Sequence, residues 1–219
     1  MMIPRFPKMT KQHMPYAVRT QDGVLWLASL CRQGKANWKL HYHDGSEWRQ
    51  VLDNPADTTE CNPVAYVGAG GDLILSYTLN EKFKQNEIHY GRFSNGVFEE
   101  IGLMPSGVGC HWNGEFLVAD GMRVAGVDLS LYGYDFIYSI RGSEAGIIVT
   151  ASKGGVFDAL LLVDGRTYRL SYNNGRPLYK PCTLDGEWWT VITLAGNERE
   201  LKYVVKADGV RADELQEMR

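Results

Sequence analysis

Apolar runs alternate with glycine-containing turns along most of the chain. Five turns precede apolar runs, at Asp22-Gly23, Gly70-Gly71, Asn113-Gly114, Ala145-Gly146 and Asp185-Gly186. A second strand-like stretch and a second turn follow each run, at Asp44-Gly45, Asn95-Gly96, Ala125-Gly126, Asp164-Gly165 and Asp208-Gly209. Asn-Gly and Asp-Gly between apolar runs are typical of β-hairpins, because type I′ turns need positive φ at both central positions. The pattern predicts antiparallel strands and almost no helix.

The turn-plus-strand unit recurs roughly every 40 residues, which is the period of propeller blades. Two units also share side chains, since Leu40-His41-Tyr42 corresponds to Ile88-His89-Tyr90. We therefore predict an all-β fold, a five-bladed β-propeller with four-stranded antiparallel blades around a central channel. The third blade should be the smallest, because its two turns lie closest together in the chain.

The repeat leaves residues 1–14 as an N-terminal extension and assigns residues 15–219 to a single propeller domain. Propellers commonly close when one terminus completes the blade that the other began. We expect residues 3–6 to pack on the last blade near Val210. The tail from Arg211 to Arg219 has helix-favouring residues, but a frayed terminus is the simpler interpretation.

Composition excludes several classes of function. The formal net charge is −3 with scattered Lys and Arg, so we expect no nucleic-acid partner. No apolar run approaches the roughly 18 residues of a membrane span, and residues 1–14 lack the apolar stretch of a signal peptide. These patterns predict cytoplasmic synthesis without a signal peptide and no membrane span.

Metal and cofactor signals are weak. The four cysteines have no CxxC spacing, and buried thiols in a reducing compartment are the simpler interpretation. His41 and His43 alternate on one strand and share a face, yet no third ligand is visible. Residues 68–71 lack the order of a phosphate-binding loop and are typical of a hairpin. We predict no metal and no cofactor.

A candidate binding site lies where the inner strands end. Consecutive inner strands run in the same direction and end at equivalent turns, so these ends should converge on one mouth of the channel. The residues at these ends are Arg19, His111, Trp112, Arg141 and Asp185. Such groups could hold a sugar or an acidic partner side chain, or they could satisfy one another around a water-filled pore.

Carboxylates at the same turns raise the alternative of glycoside hydrolysis, which needs two carboxyl groups across the scissile bond. They are Asp22, Asp72, Glu115, Glu144, Asp185 and Glu187. Tight turns also favour Asp, so the aspartates at these positions have a structural explanation as well as a catalytic one. The short loops also leave little chain to build a substrate cleft, which argues against an enzyme.

The repeats resemble those of small five-bladed β-propellers, the architecture of arabinanase-type glycoside hydrolases and of tachylectin-like sugar-binding proteins. Ser46-Glu47-Trp48 after Asp44-Gly45 is also similar to the Asp-box hairpin of sialidases. His43 stands directly before Asp44, and Gly45 follows without the spacer of that motif. The resemblance implies a propeller architecture and transfers no catalytic residue.

Three hypotheses of function remain open. The first is a non-catalytic structural or partner-binding module, such as a component of a phage virion tail or fibre. The second is a glycan-binding, lectin-like module, which the aromatic content favours. Its surface candidates are Trp38, Trp48, Trp112, Tyr132, Tyr134 and Tyr179. The third is a glycoside hydrolase. The expected partner is a protein in an assembly or a surface glycan.

Overall fold

The computed structural model describes residues 12–31, 37–53, 59–80, 87–105, 107–194 and 201–218. Twenty β-strands and one short 3₁₀ helix lie in these ranges, and every strand pair is antiparallel. The prediction of an all-β chain with almost no helix is confirmed, because the glycine turns define hairpins throughout.

The first two blades are four-stranded sheets in sequence order. The first contains β1 (Gln12–Arg19), β2 (Leu25–Cys31), β3 (Asn37–His43) and β4 (Trp48–Asp53). The second contains β5 (Thr59–Val67), β6 (Leu73–Asn80), β7 (Glu87–Ser94) and β8 (Val97–Pro105). Leu40 and Ile88 occupy corresponding third strands, and both are fully buried. The shared Leu/Ile-His-Tyr pattern therefore marks equivalent positions in the two blades.

The third predicted blade is absent as a four-stranded sheet. Its place is taken by two separate two-stranded ribbons. They are formed by β9 (Gly109–Trp112) with β10 (Glu115–Val118), and by β11 (Arg123–Val124) with β12 (Val127–Asp128). A tight turn, closed by hydrogen bonds between Asp120 and Arg123, separates the two ribbons. Strands of two residues are too short to extend a sheet. The predicted count of five blades is therefore wrong, and the described residues form four.

The remaining two sheets divide the end of the chain between them. The longer sheet contains β13 (Phe136–Ser143), β14 (Gly146–Lys153), β15 (Val156–Val163), β16 (Arg166–Tyr172) and β20 (Val210–Glu214). The shorter sheet contains β17 (Cys182–Leu184), β18 (Glu187–Leu194) and β19 (Leu201–Lys206). The 3₁₀ helix Leu129–Tyr132 precedes the longer sheet.

The C-terminal tail is a strand rather than a frayed end. β20 pairs with β16 as the fifth strand of the longer sheet, although β19 lies in the neighbouring sheet. The predicted hairpin at Asp208-Gly209 is therefore wrong, since its two flanking strands belong to different blades. The tail covers an edge of β16 that would otherwise expose unpaired backbone groups.

Most of the predicted tight turns are confirmed. Asn95, Asn113, Asp164 and Asp185 have φ between 50° and 52°, and the Gly that follows each also has positive φ. This is the backbone of the type I′ turn that Asn-Gly and Asp-Gly favour. A further turn at Gly154-Gly155, which was not predicted, joins β14 to β15.

Side chains fill the centre where the inner strands meet. The Tyr16 hydroxyl on β1 donates to the Gly142 carbonyl on β13. The buried Arg141 side chain, also on β13, lies near Cys110 on β9 and Cys182 on β17. All of these side chains are buried, so packed residues occupy this part of the predicted central channel.

The ends of the inner strands define two faces. The hairpins that follow β1, β5, β9, β13 and β17 lie on one face, which we call the turn face. Strand β1 begins at Gln12, inside the segment predicted as an extension, and residues 3–6 lie outside the described residues.

Candidate functional site

Two of the predicted site residues meet on the turn face. The Arg19 Nε lies 3.1 Å from both carboxylate oxygens of Asp185, and Nη2 lies 2.9 Å from Oδ2. Arg19 Nη1 also donates to the Gly23 carbonyl at 3.0 Å. The neighbouring Gly186 amide donates to Glu144 at 3.1 Å. These bonds join the turns after β1, β13 and β17, as the equivalence of inner-strand ends predicts.

His111 is enclosed by aromatic rings. Its ring stacks on Tyr90 with centroids 3.9 Å apart. It also makes an edge-to-face contact with Phe116, with centroids 5.0 Å apart. Its Nδ1 lies 3.0 Å from the Tyr66 hydroxyl oxygen. Burial lowers the pKa of His111. The ring is a packed, hydrogen-bonded part of the interior.

This burial predicts a pH-dependent stability. Because the pKa of His111 is lower in the folded chain, the unfolded chain binds more protons there below about pH 6.5. The contribution of neutral His111 to the free energy of unfolding is therefore full above that pH. It decreases as the pH falls towards the pKa of His111 in the folded chain. Urea unfolding at several pH values should show a shallower acid loss for His111→Gln than for the wild type. Parallel pH profiles for the two proteins would contradict the assignment.

Arg141 is buried, and Trp112 is half-buried. Arg141 is only 2% exposed, and burial lowers its pKa. Burial raises the pKa of the Cys110 thiol to about 12 and that of Cys182 to about 11. Trp112 lies flat against Gly142, where an added Cβ would be 2.0 Å from its ring. Of the five predicted residues, the structure thus brings Arg19 and Asp185 together at the surface, buries His111 and Arg141, and leaves Trp112 half-buried against β13.

A different concavity lies on the face opposite the turn face. It has a volume of about 230 Å³. Its described lining, which we call the aromatic pocket, consists of Tyr138, Thr150, Phe157, Asp158, Leu178, Tyr179 and Lys180. The residues come from β13, β14, β15 and the connection from β16 to β17. The pocket therefore lies between the last two blades.

A β-bulge places Tyr138 in the aromatic pocket. The pairing register of β13 with β14 shifts between Ile137 and Ser139, which leaves Tyr138 as the extra residue. A bulge redirects a side chain relative to the regular alternation of a strand. The Tyr138 and Phe157 rings are in edge-to-face contact, with centroids 5.7 Å apart and an interplanar angle of 72°. The two rings form adjoining walls of the pocket.

Lys180 lies between the two tyrosines. Its Nζ is 5.0 Å from the Tyr179 ring centroid and 5.7 Å from that of Tyr138. A cation over aromatic faces is stabilised by their quadrupoles. Lys180 has φ of 47°, while the other non-glycine residues of positive φ in the described chain lie in hairpin turns. A left-handed backbone at a non-glycine residue persists only where the surrounding structure enforces it, and it occurs most often at functional sites.

The connection that carries these residues is anchored to β18. The Tyr179 carbonyl accepts hydrogen bonds from the Thr190 hydroxyl at 2.6 Å and from the Val191 amide at 3.3 Å. Across the pocket, Asp158 accepts a hydrogen bond from the Tyr134 hydroxyl at 2.9 Å. Burial, followed by this carboxylate, raises the pKa of Tyr134. The Tyr179 backbone and the Asp158 carboxylate are thus held in place before any ligand binds.

The aromatic pocket combines apolar faces with a few polar groups. Phe157 and Tyr179 are each 46% exposed, so their rings are accessible to a ligand. Lys180 can donate and Asp158 can accept hydrogen bonds. The volume is below the roughly 300 Å³ at which pockets for drug-sized ligands begin. The arrangement suits a ligand the size of one ring.

Sequence reasoning found only part of this pocket. Tyr179 is among the predicted surface aromatics, whereas Tyr138, Phe157 and Lys180 were missed. The Gly154-Gly155 turn would have indicated that Phe157 begins a new strand. The bulge at Tyr138 leaves no comparable local signal.

Other groups in the described residues give no further chemistry. No three His, Cys, Asp or Glu side chains there form a group that could hold a metal ion. His43 instead accepts from the Gly45 amide at 3.1 Å. Within the same residues, no helix is long and apolar enough to cross a membrane.

Comparisons with known proteins yield structural neighbours alone. No family model and no curated protein matches the chain. A glycosyl hydrolase from Bacteroides ovatus has 10% identity and a TM-score of 0.49, over 94% of this chain and 87% of that one. A levansucrase from Bacillus subtilis has 10% identity and a TM-score of 0.40, over 98% and 75%. An exo-1,5-alpha-L-arabinanase from a bovine ruminal metagenomic library has 12% identity and a TM-score of 0.36, over 98% and 84%. All three TM-scores are below 0.5, so neither a fold nor a residue role is transferred from these neighbours.

Proposed function

We propose that this propeller is a non-catalytic binding module that holds one sugar ring of a glycan in the aromatic pocket. The observation that carries the proposal is the lining of this pocket. The Lys180 ammonium lies over the rings of Tyr138 and Tyr179, and the exposed ring of Phe157 adjoins Tyr138. Aromatic faces offer flat apolar surfaces to the C–H face of a sugar. The ammonium, the Asp158 carboxylate and the Thr150 hydroxyl supply hydrogen bonds for its hydroxyl groups.

The lining of the pocket favours binding over hydrolysis. Glycoside hydrolysis generally uses two carboxyl groups that flank the scissile bond. Asp158 is the only carboxylate among the described residues that line the pocket. It already accepts a hydrogen bond from Tyr134. We therefore expect purified protein to release no sugar from arabinan, sialoside or galactoside substrates.

Protein docking is a second candidate, favoured by β8. This outer edge strand exposes Val97 at 64%, Ile101 at 50% and Leu103 at 51%. Exposed aliphatic side chains on an unpaired strand edge are typical of surfaces that other chains cover. No feature of the described residues specifically favours a virion component. Contact of a ligand with the residues at the inner-strand ends stays a prediction. These residues are Arg19, His111, Trp112, Arg141 and Asp185. Among them, the paired Arg19 and Asp185 are accessible to a ligand.

A glycan array tests the proposed function. Wild type should bind a limited set of glycans, and Tyr179→Ala should abolish that binding because it removes an exposed wall of the pocket. Phe136→Ala is the matched control. Phe136 is 52% exposed on the same sheet but does not line the pocket, so binding should persist.

A pull-down from the native source, run beside the array, separates the two candidates. Glycan binding that is lost with Tyr179→Ala supports the sugar site. A stable protein partner without glycan binding supports docking at β8 instead. Glycan binding that is unchanged in Tyr179→Ala would show that the aromatic pocket is the wrong site.

A further inference from the structure

Three Asn-Gly steps lie in turns of the described chain. They are Asn95-Gly96 between β7 and β8, Asn113-Gly114 between β9 and β10, and Asn174-Gly175 after β16. Both residues of every step are exposed, and all three glycines have positive φ. Neither solvent exposure nor the residue that follows the asparagine therefore distinguishes one step from another.

An Asn-Gly step can react within its own backbone, without an enzyme. The glycine nitrogen attacks Cγ of the asparagine, so that a new N–Cγ bond forms while the Cγ–Nδ2 bond breaks. The side-chain nitrogen leaves as ammonia and takes the amide proton with it, and a five-membered succinimide remains. Water then opens either carbonyl of this ring, which gives aspartate or isoaspartate. Glycine permits the reaction because it has no Cβ to obstruct the attack.

The three glycine amides differ in their hydrogen bonds. The Gly114 amide donates to the Tyr66 hydroxyl oxygen at 3.2 Å. The Gly175 amide donates to the Tyr172 carbonyl at 2.8 Å. The Gly96 amide has no hydrogen-bond partner among the described residues. A bonded amide must give up its hydrogen bond before its nitrogen can attack, whereas the Gly96 nitrogen has none to give up.

We propose that Asn95 is a site of spontaneous covalent modification, which converts to aspartate and isoaspartate faster than Asn113 and Asn174 do. The loss of one backbone hydrogen bond corresponds to a factor of about two to ten in rate. We expect the rate at Asn95 to exceed the other two rates by this factor. The inference does not depend on the glycan proposal, because the Asn95 turn is not part of the aromatic pocket.

The modification would change the hairpin that carries the exposed strand β8. Each conversion replaces a neutral amide with a carboxylate and so adds one negative charge to the formal net charge of −3. Isoaspartate also inserts the methylene group of the former side chain into the backbone. The loop between Ser94 and Val97, which pair with each other, fixes the register of the hairpin by its length. Isoaspartate should therefore disturb this pair, whereas aspartate should preserve it.

Peptide mapping by mass spectrometry measures the three rates in one sample of the full chain. The folded protein is incubated at mildly alkaline pH, and the modified fraction at each asparagine is followed with time. Asn95 should react about twofold to tenfold faster than Asn113 and Asn174. The same chain in concentrated urea is the control, because unfolding removes the hydrogen bonds of Gly114 and Gly175. The three rates should then lie closer together.

The variant Tyr66→Phe tests the cause of the difference. It removes the hydroxyl group that accepts the Gly114 amide, so Asn113 should react faster than in the wild type and approach the rate of Asn95. Asn95 and Asn174 serve as internal controls in the same sample, and their rates should not change. If Tyr66→Phe does not fold, the order of the three rates in the wild type, folded and in urea, decides.

The outcomes are distinct. The fastest modification at Asn95 in the folded chain, with a faster reaction at Asn113 in Tyr66→Phe, supports the proposal. Absence of modification at Asn95, or a rate at Asn113 or Asn174 that equals or exceeds it, would overturn it. A preference for Asn95 that persists unchanged in urea, or an unchanged Asn113 rate in folded Tyr66→Phe, would also overturn it, since the hydrogen bonds would then not be the cause.

Discussion

Gly142→Ala should lower the free energy of unfolding by about 3 kcal/mol, at the upper end of the usual cost of overpacking. A Cβ at this position would lie 2.0 Å from the Trp112 ring, which is far inside van der Waals contact. The ring has little room to retreat, since it packs against the buried cluster around Tyr16 and Cys110. The Gly142 carbonyl also accepts the Tyr16 hydroxyl bond, so displacement of this strand would weaken a second contact.

Thermal unfolding measures this effect. For a domain of this size, 3 kcal/mol corresponds to a fall in Tm of about 6 to 12 °C. Gly70→Ala is the matched control. Its Cβ would meet only Asp72 Oδ2, at 3.7 Å, and the change should stay within about 0.5 kcal/mol. Equal stability of Gly142→Ala and Gly70→Ala would show that Trp112 does not pack in this way.

Removal of β20 is expected to have the second large effect on stability. A chain ending at Asp208 loses the strand that pairs with β16, together with the packed side chains of Val210 and Leu215. Both side chains are half-buried, so their re-exposure alone corresponds to about 1 to 3 kcal/mol. The bare edge of β16 would also be open to pairing with other molecules, so aggregation should accompany the loss of stability.

Urea unfolding and light scattering check this prediction. A chain ending at Gln216 serves as the control, because it keeps β20 and Leu215 and loses only the contacts of the last residues, such as the Met218 amide bond to Leu131 at 2.8 Å. It should remain close to wild type and monodisperse. If the chain ending at Asp208 were as stable and as monodisperse as this control, β20 would contribute little to the stability of the fold.

Local features of the sequence predicted the strands and tight turns well. Asn113-Gly114 and Asp185-Gly186 form type I′ turns because both positions accept positive φ without help from distant residues. The proximity of Arg19 and Asp185 could also be predicted, because equivalent turns of neighbouring inner strands lie at the same face.

The number of blades could not be predicted in the same way. The turns at Gly114 and Gly126 are genuine hairpins, but the chain between them is too short for β10 and β11 to join one sheet. The pairing of β20 with β16 is non-local. The sequence around Asp208-Gly209 contains a turn signal, and only tertiary packing decides which sheet receives the strand that follows.

The site depends on similar non-local detail. The sequence places His111 and Arg141 at inner-strand ends as candidate ligand contacts, whereas rings and neighbouring strands bury both. The aromatic pocket depends on a bulge at Tyr138 and on the left-handed backbone of Lys180. Both arise from the way two blades meet, which no single segment specifies.

The most direct test of the proposed function is a crystal structure of the chain with the best-binding glycan from the array. We expect one sugar ring in van der Waals contact with Tyr138 and Tyr179, with hydroxyl groups within hydrogen-bond distance of Asp158 and Lys180. A glycan bound elsewhere, with the aromatic pocket empty, would contradict the proposal.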